Sequence, residues 1–183
     1  MVELQQSVYR NTFGPSEAGR ALAIPGATLR SWDLRGYVPS DPTLAGRHRH
    51  FWAIDVFYLG LLREFLAGGR SMETAARLAT AVIYGDGSDA ELRRAIRTPS
   101  TERVRACQRD YQHVWPDVRH RGEAVPYWVI YVMDDAVPAA VLPWPKVSHH
   151  VQALRHFGAI NLTGLLVAIE RTLADLSSRR TGA

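Results

Sequence analysis

Residues 16–36 read SEAGRALAIPGATLRSWDLRG, and the interpretation of this stretch decides how the rest of the chain is organised. Phe13-Gly14-Pro15 precedes it as a helix start, because a proline in the first turn gives up an N–H that has no intrahelical partner there. Glu17 then stands near the positive end of the helix dipole, and Ala18, Ala21 and Leu22 form a short apolar face. Ile24-Pro25-Gly26 breaks the pattern. A second helix follows over Thr28 to Arg35, with Leu29 and Trp32 sharing one face and Arg30, Ser31, Asp33 and Leu34 around the remainder. Gly36 ends it as a left-handed cap. Two short helices joined by a tight turn are the result.

Working outward, Tyr37-Val38-Pro39 and Arg47 to Phe51 are short strand candidates around a polar loop at residues 40–46. A helix from Trp52–Asp55 onward carries Val56, Leu59, Leu62, Phe65 and Leu66 at helical spacing and stops at Gly68-Gly69. Ser71 is placed to cap the next helix, whose inward residues are Met72, Ala75, Ala76, Leu78 and Ala79. Gly85-Asp86-Gly87-Ser88 marks a boundary. The leader, Met1 to Thr12, is expected to fray.

Beyond the boundary, residues 89–96 and 102–115 have helical patterns, separated by Thr98-Pro99-Ser100. Tyr127 to Met133 is the clearest strand, apolar enough for burial on both faces. Ala139 to Leu142 is expected to pair with it, and Gly158 to Leu162 is a further strand. Thr163 to Leu176 is an amphipathic helix with Leu165, Leu166, Ile169, Leu173 and Leu176 on its apolar side, expected to pack on the sheet or to form a dimer. Residues 177–183 are expected to fray.

The chain has 183 residues, and its 46% hydrophobic and 22% charged content is ordinary for a globular protein. It has no apolar run long enough to span a membrane and no apolar segment of a secretory leader, so a cytoplasmic location is expected. Cys107 is its one cysteine, which excludes an internal disulfide framework. The net charge is +4, and Lys146 is the one lysine, so nearly all positive charge is arginine, the better fork for phosphate and guanine edges. Residues 93–121 hold eight Arg against three acids, which fits either a second anionic contact or a solvated helix face. His149, His150 and His156 lack an acidic pair nearby, and Cys107 with His113 lacks a catalytic frame. No catalytic residue, metal site or cofactor is expected, and the chain is read as a non-enzyme.

Taken in order, Ser16-Glu17-Ala18, Ile24-Pro25, Thr28-Leu29-Arg30, Trp32, Arg35-Gly36, Arg49, Phe51, Asp55-Val56, Leu59, Leu62, Gly69, Ser71-Met72 and Leu78 resemble the MerR-type winged helix-turn-helix family and its excisionase-like relatives, over residues 13–80. The resemblance implies an N-terminal winged helix-turn-helix (13–85); with the patterns read beyond it, a basic helical connector (86–123) and a small C-terminal α/β module (124–178) for oligomerisation or partner binding, the expected fold is α+β. It implies a bacterial, sequence-specific, double-stranded-DNA-binding transcription regulator, acting as a homodimer, with RNA polymerase or another protein as a further candidate partner. The small residues Gly26, Ala27 and Thr28 let a helix approach base edges, Arg30 reaches a guanine edge or a phosphate, and Ser31 donates to phosphate or base. Arg35 either contacts phosphate or pairs with Asp33 or Glu17. In the wing, Arg47 and Arg49 share one side and His48 and His50 the other, to clamp the backbone; the plainer reading is an exposed charged hairpin. The long dimer helix and paired cysteines of the family's sensors are missing. Alternatives are an excisionase-like architectural DNA binder and an adaptor that binds a ligand or protein.

Overall fold

Glu17 reaches back from the third position of the first helix to accept the Gly14 N–H at 2.8 Å, which fixes where that helix begins. The computed structural model describes residues 11–38, 50–84, 127–132, 140–143, 146–147, 152 and 156–181. Their elements are β1 (Thr12–Phe13), α1 (Pro15–Leu22), α2 (Gly26–Leu34), β2 (Phe51–Trp52), α3 (Ala53–Ala67), α4 (Met72–Tyr84), β3 (Tyr127–Val132), β4 (Ala140–Pro143), β5 (Phe157–Asn161) and α5 (Leu162–Thr181). The fold is mixed α+β and mostly helical, with two small sheets among the described residues. No described helix is long and apolar enough to cross a membrane.

The turn between α1 and α2 is tight for a local reason. Ala23 takes the left-handed conformation at φ 52°, and the Ile24 N–H closes back onto the Gly19 carbonyl at 2.9 Å. A Cβ at position 19 would stand 2.9 Å from the Ile24 carbonyl oxygen, so glycine is what lets the chain fold back there. Pro25 has the preset φ of −58°, and its carbonyl accepts from Thr28 and Leu29, so α2 begins at Gly26, two residues before the position expected from periodicity. Gly36 ends α2 at φ 76°, with the Tyr37 N–H on the Trp32 carbonyl, in the expected left-handed cap.

Gly69 closes α3 in the same way, at φ 81°, and the Ser71 hydroxyl accepts the Thr74 N–H at 3.2 Å to cap α4. α3 buries more than the stripe its heptad-like spacing predicts: Ile54, Phe57, Tyr58 and Leu61 are buried along with Val56, Leu59, Leu62 and Phe65. A helix buried over most of its circumference belongs in the middle of a core. α1, α4 and α5 surround it.

β3 is the central strand of the antiparallel order β4-β3-β5, with Val129 opposite Val141 on one side and Ile160 on the other. Asn161, at the end of β5, accepts the Gly164 N–H at 2.8 Å and so caps α5 without an intervening loop. Tyr131 on β3 lies edge-on to Phe65 of α3, ring centroids 5.1 Å apart. α5 lays Leu166, Ile169, Leu173 and Leu176 into one continuous core with Phe13, Leu22, Leu29, Trp32, Phe51 and the α3 residues. Its apolar stripe therefore packs on α1 and α3 as well as on β3.

Three local expectations are corrected. Tyr37 and Val38 are not strand; Phe51 instead pairs with Phe13, in a two-stranded antiparallel β1-β2 ribbon that places both rings in the core. Thr12, expected in a frayed leader, is part of that ribbon. Residues 177–181 continue α5 instead of fraying, because Ser177 is buried and accepts from Asn11, and Arg180 is held at α1. The helical patterns at 89–96 and 102–115 lie outside the described residues.

Candidate functional site

α2 has two unlike faces. Leu29 and Trp32 are buried, the second only 8% exposed, and with Ile24 before the helix and Val38 after it they belong to the common core. Trp32 is thus a packing residue. On the other side Gly26, Ala27, Arg30, Ser31, Leu34 and Arg35 are exposed, and Thr28 is half-buried. The spacing 27, 30, 31, 34 is one stripe of a helix, so the residues that face solvent do so together.

Glycine at position 26 shapes the start of this face. A Cβ placed there would lie 3.7 Å from the Arg30 Nη1, so the guanidinium of Arg30 folds back beside the first turn of α2. Long helical side chains lean towards the N-terminus of their helix in this way. The cationic head therefore stands beside the end of α2 where the unpaired N–H groups also point. Small side chains and a guanidinium on an exposed helix face suit close approach to a flat, anionic, acceptor-rich partner.

The neighbouring helix α1 is pinned at both ends by arginines from elsewhere in the chain. Arg180 of α5 donates to both carboxylate oxygens of Glu17, to the Thr12 carbonyl at 2.9 Å, and lies over the Phe13 ring. Arg63 of α3 donates to the Leu22 carbonyl, the last of α1, and pairs with Glu64. Glu17 is thus engaged by Arg180, not by Arg35, whose own side chain is exposed. The sequence offered no sign of the Arg180 contact, since it joins residues 163 positions apart.

Of the residues expected to act, Gly26, Ala27, Thr28, Arg30, Ser31 and Arg35 are all on α2 or its last turn. Arg47, His48 and Arg49 lie outside the described residues, as do residues 93–121, Cys107, His113, His149 and His150. His50 is exposed, next to the buried Phe51. Among the described residues no group of three His, Cys, Asp or Glu side chains could hold a metal ion. Burial raises the pKa of the Tyr131 phenol, with Arg70 opposing and Glu64 adding to the rise; this group sits in the core. No model of a known protein family matches the chain, and no curated protein matches it.

Proposed function

We propose that the chain is a sequence-specific transcription regulator of the MerR-like winged helix-turn-helix type, which binds double-stranded DNA through α2. The observation that supports this reading is the division of α2 into a core face, Leu29 and Trp32, and an exposed stripe of small, hydroxyl and arginine side chains. An α-helix fits the major groove, about 12 Å wide, when the residues it presents are short near its N-terminus. Gly26, Ala27 and Thr28 meet that need; Arg30 and Ser31 supply donors. Arg35, with Arg47, His48 and Arg49 from the segment outside the described residues, would hold the phosphate backbone on either side. The protein would act as a homodimer, and its interface must be sought away from Leu166, Ile169, Leu173 and Leu176, which are buried within one chain.

The test separates base contacts from backbone contacts. Duplexes selected from a random pool by the full-length chain are titrated by fluorescence anisotropy at several salt concentrations. Arg30→Ala is expected to cost about 1–3 kcal/mol on the selected duplex and much less on unrelated ones. Arg49→Ala is expected to weaken binding to every duplex and to lower the log–log salt slope by about 0.9, the share of one phosphate contact. Palindromic selected sites would carry the dimer. A chain that retains no duplex at low salt refutes the reading, and equal losses on all duplexes for both variants refute the assignment of roles.

A further inference from the structure

The stripe Ala27, Arg30, Ser31, Leu34 ends in a side chain to which the proposed function gives no role. Leu34 is 89% exposed, about twice the exposure of Phe157 (42%) or Val167 (45%), the other large exposed hydrophobic residues among those described. An exposed leucine by itself needs no explanation. Its register does: it stands in line with Arg30 and Ala27, on the side of α2 opposite the buried Leu29 and Trp32. An apolar side chain that faces a polyanion through a neighbouring guanidinium has a specific target on the floor of the major groove. Thymine presents a 5-methyl group there, the one apolar feature that distinguishes base pairs in that groove.

The spacing fits such a contact. Ala27 to Leu34 covers roughly 10 Å of helix axis at about 1.5 Å per residue, the rise of about three base pairs. Arg30 and Leu34 are about 6 Å apart along the axis, just under two base-pair steps. We infer that Leu34 is a specificity-determining residue, which packs against the 5-methyl group of a thymine about two base pairs from the pair that Arg30 contacts. This rests on the DNA-binding reading of α2. A leucine that seated another protein, or that covered a further segment of this chain, would be indifferent to that methyl group.

Uracil is thymine without the methyl group, so the substitution removes the proposed contact and nothing else. A duplex selected by the full-length chain is remade with each thymine replaced singly by uracil, and binding is compared for the native chain, Leu34→Ala and Leu34→Met. One replacement near the Arg30-dependent base pair is expected to weaken the native chain about fourfold, the effect of exposing one methyl-sized group. Leu34→Ala is expected to bind the thymine duplex as weakly as the native chain binds that uracil duplex, and to make no distinction between the two. Leu34→Met keeps apolar reach and is expected to keep most of the distinction. If a duplex is selected but no uracil replacement matters, or if Leu34→Ala still senses it, the role of Leu34 is overturned while DNA binding stands. If no duplex is selected, both fall together. Leu34 is exposed, so neither variant threatens the core, and equal melting temperatures verify that.

Discussion

Gly60 is a point of close approach between α3 and α5, and filling it tests whether the C-terminal helix is seated as described. An alanine Cβ at position 60 would lie 2.7 Å from the Ile169 Cδ1 and 3.2 Å from the Leu22 Cδ2. Both partners are at most 2% exposed, so neither side chain has open space to move into. Gly→Ala in a helix interior gains about 1 kcal/mol of propensity, against an overpacking cost of about 1–3 kcal/mol. Gly60→Ala is therefore expected to destabilise by about 1 kcal/mol. Ile169→Val removes the Cδ1 and is expected to cost about 0.5–1.5 kcal/mol by itself. In the double variant the new Cβ occupies the volume that the Cδ1 leaves. The two changes should then be non-additive by about 1–2 kcal/mol, bringing the double variant close to the native stability or above it. Urea unfolding followed by tryptophan fluorescence and far-UV circular dichroism gives the midpoints, with an unchanged m-value showing that the same surface unfolds. In a thermal melt each kcal/mol corresponds to about 2–4 °C at this size. If the effects add to within about 0.5 kcal/mol, Gly60 and Ile169 do not meet, and α5 is not packed across α3.

Two further predictions concern other contacts of the same core. Arg180→Ala removes the donors to Glu17 and Thr12 and the cation over Phe13; as Arg180 is 46% exposed, the expected loss is only about 1 kcal/mol. A cycle with Glu17→Gln, read from unfolding midpoints, should show the two losses to be coupled, and strict additivity would mean that the pair contributes nothing. Tyr131 gives a pH signature: burial holds its folded pKa above the usual phenol value near 10, so stability is fully present below pH 10. As pH rises past that value the unfolded chain releases its proton first, and stability falls until the folded pKa is passed. The native chain should lose stability relative to Tyr131→Phe between neutral pH and about pH 11, and parallel curves would refute the burial of that phenol.

The helices around α2 were legible because their signals are local. Leu29 and Trp32 are three apart, Gly36 and Gly69 take the positive φ that their positions demand, and Ser71 caps α4 from its side chain. β3, with its aromatic and β-branched residues, was equally clear, and the segment expected to pair with it does so as β4, antiparallel. What escaped was non-local. A two-residue strand has no periodicity to read, so the pairing of Phe13 with Phe51 left no mark, and Tyr37-Val38 looked as good a partner. The stripe of α5 told that one face is buried, but not against what. The close helix crossing at Gly60 was not read either, because a single glycine in a helix has several readings. The exposed face of α2 could be assigned residue by residue, since a helix that buries positions 29 and 32 must expose 27, 30, 31 and 34.

The dependence of α2 on distant residues follows from its size. α1 and α2 are eight and nine residues long, shorter than the 12–15 at which even a favourable helix becomes marginal alone in water. Their order is therefore imposed by packing. α1 is fixed through Ala18 and Leu22 in the core, through Arg63 at its C-terminal carbonyl, and through Arg180 at its first turn. α2 is fixed to the same core by Leu29 and Trp32, and to α1 by a turn that Gly19 makes possible. The exposed stripe is thus held in place by α3 and α5, whose contacts come from residues 41 and 163 positions along the chain. Rigid support of this kind is what the proposed base readout requires, because hydrogen bonds weaken steeply with misalignment. It also ties the two ends of the chain together, since Arg180 of α5 holds Glu17 and the Thr12 carbonyl at the start of α1.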